Sequence, residues 1–191
     1  SYSVAYYMGL DFDYGFATLE FGDYSYGFSV RCIKDGMSRE KAKSSSSVVP
    51  VSSSSVVKSS SSFYQFNPNI EYGELTDIRD GQTYKTVIIG TQTWMAQNLN
   101  FKTDSSFCYN DEESNCTKYG RLYRWAAAIG KSEGECGFGC TCSLPLGNIQ
   151  GVCPSGWHLP DSTEWKTLFA AVGGQWGGES RVLVSTSGWN D

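Results

Sequence analysis

The sequence predicts an α+β domain of two short helices packed on irregular antiparallel strands. Three observations carry that reading. Aromatic residues are abundant (12 Tyr, 10 Phe, 6 Trp) and glycine numbers 21, a mixture that favours short strands and tight turns over a helical bundle. Short apolar runs punctuated by Gly, Asp and Asn recur near the start of the chain and again after residue 70, as strands joined by turns would. Two segments only, near residues 120–129 and 161–172, carry a helical period.

The clearest element lies in CPSGWHLPDSTEWKTLFAAVGG, Cys153 to Gly174. Asp161 can cap a helix, and Glu164 three residues on can reach back to complete a capping box. Trp165, Leu168, Phe169 and Val172 then fall at i, i+3, i+4 and i+7, one apolar stripe that must pack on something. Gly173-Gly174 supplies the left-handed conformation on which many helices end. Cys153 stands just outside, placed to tie the helix to another part of the chain.

Residues 1–35 read as a three-stranded meander: Val4 to Phe12, Phe16 to Phe21, and Gly27 to Ile33, with turns at Asp13-Tyr14-Gly15 and Gly22 to Tyr26. In the third strand Phe28, Val30 and Cys32 alternate with Ser29 and Arg31, which puts the cysteine on the apolar face. Residues 36–69 change character. SSSSVVPVSSSSVVKSSSS, Ser44 to Ser62, is low-complexity and has too little apolar surface to offset its ordering entropy, so 36–69 is expected to be a flexible linker.

Strands resume with Leu75 to Arg79, a turn at Asp80-Gly81, Gln82 to Ile89, and Thr93 to Leu99 after Gly90-Thr91. Asp104 to Lys118 is expected as a polar loop. Gly120 to Ile129 is expected as the second helix, with Leu122, Trp125, Ala126 and Ile129 on one face and Gly130 as its stop. Residues 131–152 read as a Gly-rich loop.

Net charge is -5 and no basic stripe occurs, which argues against nucleic acid and anionic membrane surfaces as partners. No apolar run is long enough to span a bilayer. Seven cysteines, several at short spacings among Gly and Ser, read as a disulfide framework in an exported protein with one thiol left over. The chain starts at Ser1 in strand-like sequence, and is expected to be a fragment whose export signal lies outside it.

Several residues offer chemistry. Cys108 and Cys116 enclose YNDEESN, a short loop that a disulfide would close; the enclosed Asp111, Glu112 and Glu113 offer calcium ligands or simply a solvated acidic loop. Cys136, Cys140 and Cys142, with His158 downstream, are the right residue types for zinc, at a spacing that matches no common zinc motif. His158, the single histidine, has no motif beside it supplying a nucleophile and orienting acid, and reads as a structural residue in the turn before the helix. No cofactor is expected.

Three segments, DIRDGQTYKTVIIGTQTWMAQNLNF (77–101), CYNDEESNCTKYGRLYRWAAA (108–128) and CPSGWHLPDSTEWKTLFAAVGG followed by STSGW (185–189), resemble the Fibrobacter succinogenes major paralogous domain. GFSVRCIKD (27–35) looks like the end of the same domain. The order departs from the family, with a tail preceding a head. Residues 1–35 are therefore expected to be the C-terminal strands of an upstream copy, and 70–191 the N-terminal part of a downstream copy, each incomplete. The resemblance implies a bacterial secreted or cell-surface protein with a fold related to the C-type lectin-like and sulfatase-modifying-factor group.

The resemblance also bears on single residues. A cysteine pair commonly spans the Gly-rich loop of the family, which implies Cys136 with Cys142 and Cys140 as the odd thiol. In the lectin-like group a long-range disulfide joins the start of a helix to the last strand, and Cys153 and Cys32 resemble that pair. Trp189-Asn190-Asp191 resembles a calcium-binding triplet of lectins, but follows the second helix and has no Glu-Pro-Asn partner. Sulfatase-modifying relatives use a reactive cysteine pair late in the fold, where this chain offers Cys32 alone, so catalysis is not expected.

Two functions remain: adhesion or binding of polysaccharide or another surface protein, and a purely structural surface domain. A row of exposed aromatic rings would favour the first; rings all buried would favour the second. The linker of 34 residues (36–69) reaches roughly 30 Å. Residues 1–35 are thus expected to dock on 70–191 as a circularly permuted closure, with Cys32 against Cys153.

Overall fold

A computed structural model describes residues 4–10, 17–36, 66–144, 147–174 and 183. Most of the Ser-rich stretch, and Trp189, Asn190 and Asp191, lie outside the described residues.

The aromatic N-terminus forms a hairpin. β1 (Val4–Leu10) and β2 (Ala17–Asp23) pair antiparallel with Val4 opposite Asp23 and Leu10 opposite Ala17. Asp23 sets the following turn, its Oδ1 accepting the Ser25 N–H at 2.8 Å and its carbonyl the Tyr26 N–H at 3.0 Å. The third strand, expected to run unbroken from Gly27 to Ile33, is split between two sheets. β3 (Phe28–Ser29) joins one and β4 (Ile33–Lys34) the other. Between them the carbonyls of Val30 and Cys32 accept from Leu99 (2.8 Å) and Met95 (3.0 Å). Pairing therefore continues through the bend while both side chains enter the core.

β5 (Gly73–Thr76), β6 (Thr83–Ile89) and β7 (Gln92–Met95) form an antiparallel meander, which β4 and β10 (Trp157–His158) extend to a five-stranded sheet of order β10-β4-β7-β6-β5. β5 stops three residues short of the expected Arg79. The Asp77 carbonyl accepts from Gly81 at 2.8 Å, and the Asp77 N–H donates to Gln82 at 2.8 Å, so the chain is already turning at Asp77. β8 (Ser106–Phe107) and β9 (Leu122–Tyr123) complete a second, three-stranded sheet of order β3-β9-β8.

The helices are α1 (Glu113–Tyr119), α2 (Trp125–Ala128), α3 (Glu133–Cys136) and α4 (Ser162–Ala171). With mostly antiparallel sheets they make an α+β fold, but of four short helices among the described residues rather than two. The expected helix over 120–129 is corrected. Gly120 ends α1 with φ 77°, where a Cβ would lie 2.9 Å from two backbone carbonyl oxygens. Leu122 and Tyr123 are drawn into β9 because Tyr123 fills the core and its hydroxyl donates to the Phe101 carbonyl at 2.7 Å. Helix remains from Trp125, and Gly130 (φ 72°) follows its end. The expected polar loop 104–118 in fact holds β8 and α1, and the Gly-rich loop holds α3.

α4 follows its sequence closely. Asp161 accepts from the Thr163 and Glu164 N–H groups at 2.7 and 2.8 Å, and Glu164 accepts the Asp161 N–H at 3.0 Å. Leu168 and Phe169 are buried, with Trp165 and Val172 half-buried beside them. Register places Val87, Trp94, Ile33 and His158 abreast across four strands of the larger sheet. This face receives α4: Leu168 packs with Ile33 and Trp94, and the Trp165 ring lies 4.8 Å from that of Trp94. The opposite face, with Leu75, Tyr84, Met95 and Trp157, closes the main core together with Val30, Leu99, Tyr123, Val152 and the buried cysteines.

Candidate functional site

The cysteines divide into three bridges and one thiol. Cys32 and Cys153, both 0% exposed, are joined with a Cα separation of 5.9 Å, within the span a disulfide bridges. Cys108 is joined to Cys116 and Cys136 to Cys142, at Cα separations of 4.9 and 4.7 Å. Cys140 is free and half-buried. The zinc set does not assemble, because Cys136 and Cys142 have spent their thiolates on each other and His158 lies elsewhere.

His158 is 2% exposed, and each ring nitrogen meets a carboxylate. Nδ1 lies 2.6 Å from Asp35 Oδ1, and Nε2 lies 2.9 Å from Glu164 Oε1. The imidazole therefore links three places: the segment after β4, its own strand β10, and the first turn of α4. Glu164 serves twice, with one oxygen closing the capping box and the other on the imidazole. This is a fastening beside the Cys32–Cys153 bridge. The sequence places His158 in the turn before the helix, whereas it lies on β10, and its partner Asp35, 123 residues away, leaves no local mark.

The acidic loop is held by its own contacts. Asp111, Glu112 and Glu113 are exposed, and Asn110 and Asp111 take φ of 55° and 57°. Glu113 pairs with the buried Arg121 at 2.8 Å. Its other oxygen lies 3.3 Å from Cys108 Sγ, a packing contact, because a disulfide sulfur has no proton to donate. Cys108, Glu113 and Cys116 cluster tightly enough for a metal ion, but both sulfurs are bonded to each other.

A run of three aromatic rings joins β1 of the N-terminal hairpin to the turn after β2 and to β3. Tyr7 stacks on Phe28 at 4.3 Å, and Phe28 meets Tyr26 edge-on at 6.4 Å. Tyr26 is 60% exposed and Phe21, on β2, 69%. Tyr7 donates its hydroxyl to Glu20 at 2.7 Å, and that hydrogen bond pushes its phenol above the ordinary range. Tyr24 stacks on Trp125 at 5.4 Å, anchoring this end of the hairpin to the body. Composition pointed to aromatics as contact residues; only the fold shows which of them stay in solvent.

The described residues thus form an α+β domain tied by three disulfides, bridges of the kind that persist in oxidising compartments. A family model, Fibrobacter succinogenes major domain (Fib_succ_major), matches residues 87–186, and the chain belongs to that family. No curated protein and no solved structure matches it. Family and disulfides together fit an extracellular surface domain. Among the described residues no helix is long and apolar enough to cross a membrane.

Proposed function

We propose that this chain is a non-catalytic module of a bacterial surface protein that binds polysaccharide through the aromatic run Tyr26–Phe28–Tyr7. The observation that carries the reading is the contiguity of these rings and the exposure of their outer member. Flat rings stack on sugar faces while phenol edges hydrogen-bond to hydroxyls; Tyr26 offers the open ring, and Tyr7 and Phe28, stacked on each other, back it. The non-catalytic part is supported by His158, whose two nitrogens are both committed to carboxylates in a buried position. It is also supported by Cys32, bonded to Cys153 in the core. Residues 1–35 as the tail of one domain copy, and 70–191 as the head of the next, form part of the same proposal. A C-type lectin-like relationship of the fold is a further part.

Burial of Tyr84, Trp94, Tyr123 and Trp157 favours the second reading, a purely structural domain whose aromatics fill the core. Retention of the disulfide-intact chain on insoluble cellulose, xylan and mannan separates the two. The binding reading expects retention on at least one polymer, weakened about tenfold or more by Tyr26→Ala, a loss on the scale of one good aromatic contact. Passage through all three unretained supports the structural domain instead.

A further inference from the structure

His158 is the chain's single histidine, and its contacts go beyond those of a passive fastening. Three groups meet its two ring nitrogens. Asp35 Oδ1 lies 2.6 Å from Nδ1, Glu164 Oε1 lies 2.9 Å from Nε2, and Asn148 Nδ2 lies 3.4 Å from the same Nδ1. A carboxylate only accepts, and the NH₂ of an amide only donates. Nδ1 therefore faces an acceptor and a donor, and it can serve one at a time.

Each choice fits one charge state of the ring. Imidazolium carries a proton on both nitrogens, donates to Asp35 and Glu164 together, and leaves Asn148 aside. Its burial, at 2% exposure, is offset by the two carboxylates it touches. Neutral imidazole has one proton to give. Placed on Nδ1, that proton would leave the Nε2 lone pair facing Glu164, which is fixed because its other oxygen takes the Asp161 N–H at 3.0 Å in the cap of α4. Placed on Nε2, it keeps Glu164 and leaves Nδ1 to accept from Asn148. Asp35 is then the partner let go, and its half-exposed side chain turns to water.

The other charges on the packed elements are occupied or remote. The Asp161 carboxylate is spent on the Thr163 and Glu164 N–H groups, and Lys34, opposite Trp157, is exposed. We infer that His158 is a pH-operated latch on the end of the N-terminal segment. The latch is closed on Asp35 when the ring is charged, and open, with Asn148 in place of Asp35, when the ring is neutral. The Cys32–Cys153 bridge and the Asp35 N–H bond to the Gly156 carbonyl at 3.0 Å hold through the change. What opens is the Asp35 side chain, at the point where the sequence leaves β4 for the Ser-rich stretch. The aromatic run takes no part.

Long-range ¹H–¹⁵N spectra of the ¹⁵N-labelled, disulfide-intact chain test the latch, recorded from about pH 5 to about pH 8, where imidazole changes charge. The expected result is a ring protonated on both nitrogens at the acid end and on Nε2 alone at the alkaline end. The Asp35, Gly36 and Asn148 backbone amides are expected to move with the same midpoint. Asp35→Ala removes the acceptor of the charged ring and should lower that midpoint by about one pH unit, or about tenfold in proton affinity. Asn148→Ala removes the donor of the neutral ring and should raise it. A ring of one charge throughout, a neutral ring protonated on Nδ1, or a midpoint that either variant leaves in place would each overturn the latch.

Discussion

Asp77 is 0% exposed and carries a charge, so its surroundings must pay for that burial. Burial pushes its carboxyl up. Arg79, donating from Nε at 2.8 Å and Nη2 at 2.6 Å, outweighs this and holds the group below the ordinary carboxylate range. A depressed folded pKa stabilises the fold above the unfolded value of about 4, and that contribution is lost as pH falls through the folded pKa. Asp77→Asn is therefore expected to cost about 2–3 kcal/mol at neutral pH. It should also flatten the fall of urea midpoint below pH about 4; parallel midpoint curves for the two proteins would contradict the assignment. Burial likewise pushes the Tyr84 phenol up to about 12. None of this was legible in the sequence, where Asp77 reads as one more residue of a strand expected to run to Arg79. A pair two residues apart leaves no periodic mark, and its burial is decided by the fold.

The elements differ in how plainly the sequence announces them. α4 was legible because capping box, apolar stripe and terminal glycines agree, and each acts locally. Its cap carries a prediction: Asp161→Ala should destabilise the domain by about 1 kcal/mol, read from the thermal midpoint, and an unchanged midpoint would show that the cap is redundant. The stretch 120–129 has the same period but was misread, because Tyr123 gains more by filling the core between β3 and β8 than helical spacing returns. α1 escaped notice for the opposite reason. Its sequence ESNCTKY has no apolar stripe, and Cys116 pins it through the bridge to Cys108. That bridge has a sequence separation of 8, and the chain-entropy model gives about 2.5 kcal/mol for such a loop. Cys108→Ser with Cys116→Ser should lower the unfolding free energy by about that amount, measured in urea, with the other two bridges intact. A loss well under 1 kcal/mol would place α1's stability in Glu113–Arg121 and its packing instead.

At the scale of the whole molecule, the N-terminal strands are part of the body. β4 lies between β7 and β10 in the larger sheet, β3 edges the smaller one, and Asp35 reaches His158. The aromatic run is carried on this segment, so binding and closure stand together. Alternating residues made the strands legible; their division between two sheets was not, since that depends on partners far along the chain. The Cys32–Cys153 bridge has a sequence separation of 121, for which the chain-entropy model gives about 5 kcal/mol, the largest of the three. The most direct test is peptide mapping of the non-reduced protein, prepared as a mixture of ¹⁴N- and ¹⁵N-labelled chains. The account predicts that the Cys32 peptide is linked to the Cys153 peptide within one isotope, with Cys140 unlinked. A Cys32 that is free, bonded to Cys140, or linked across isotopes would contradict it.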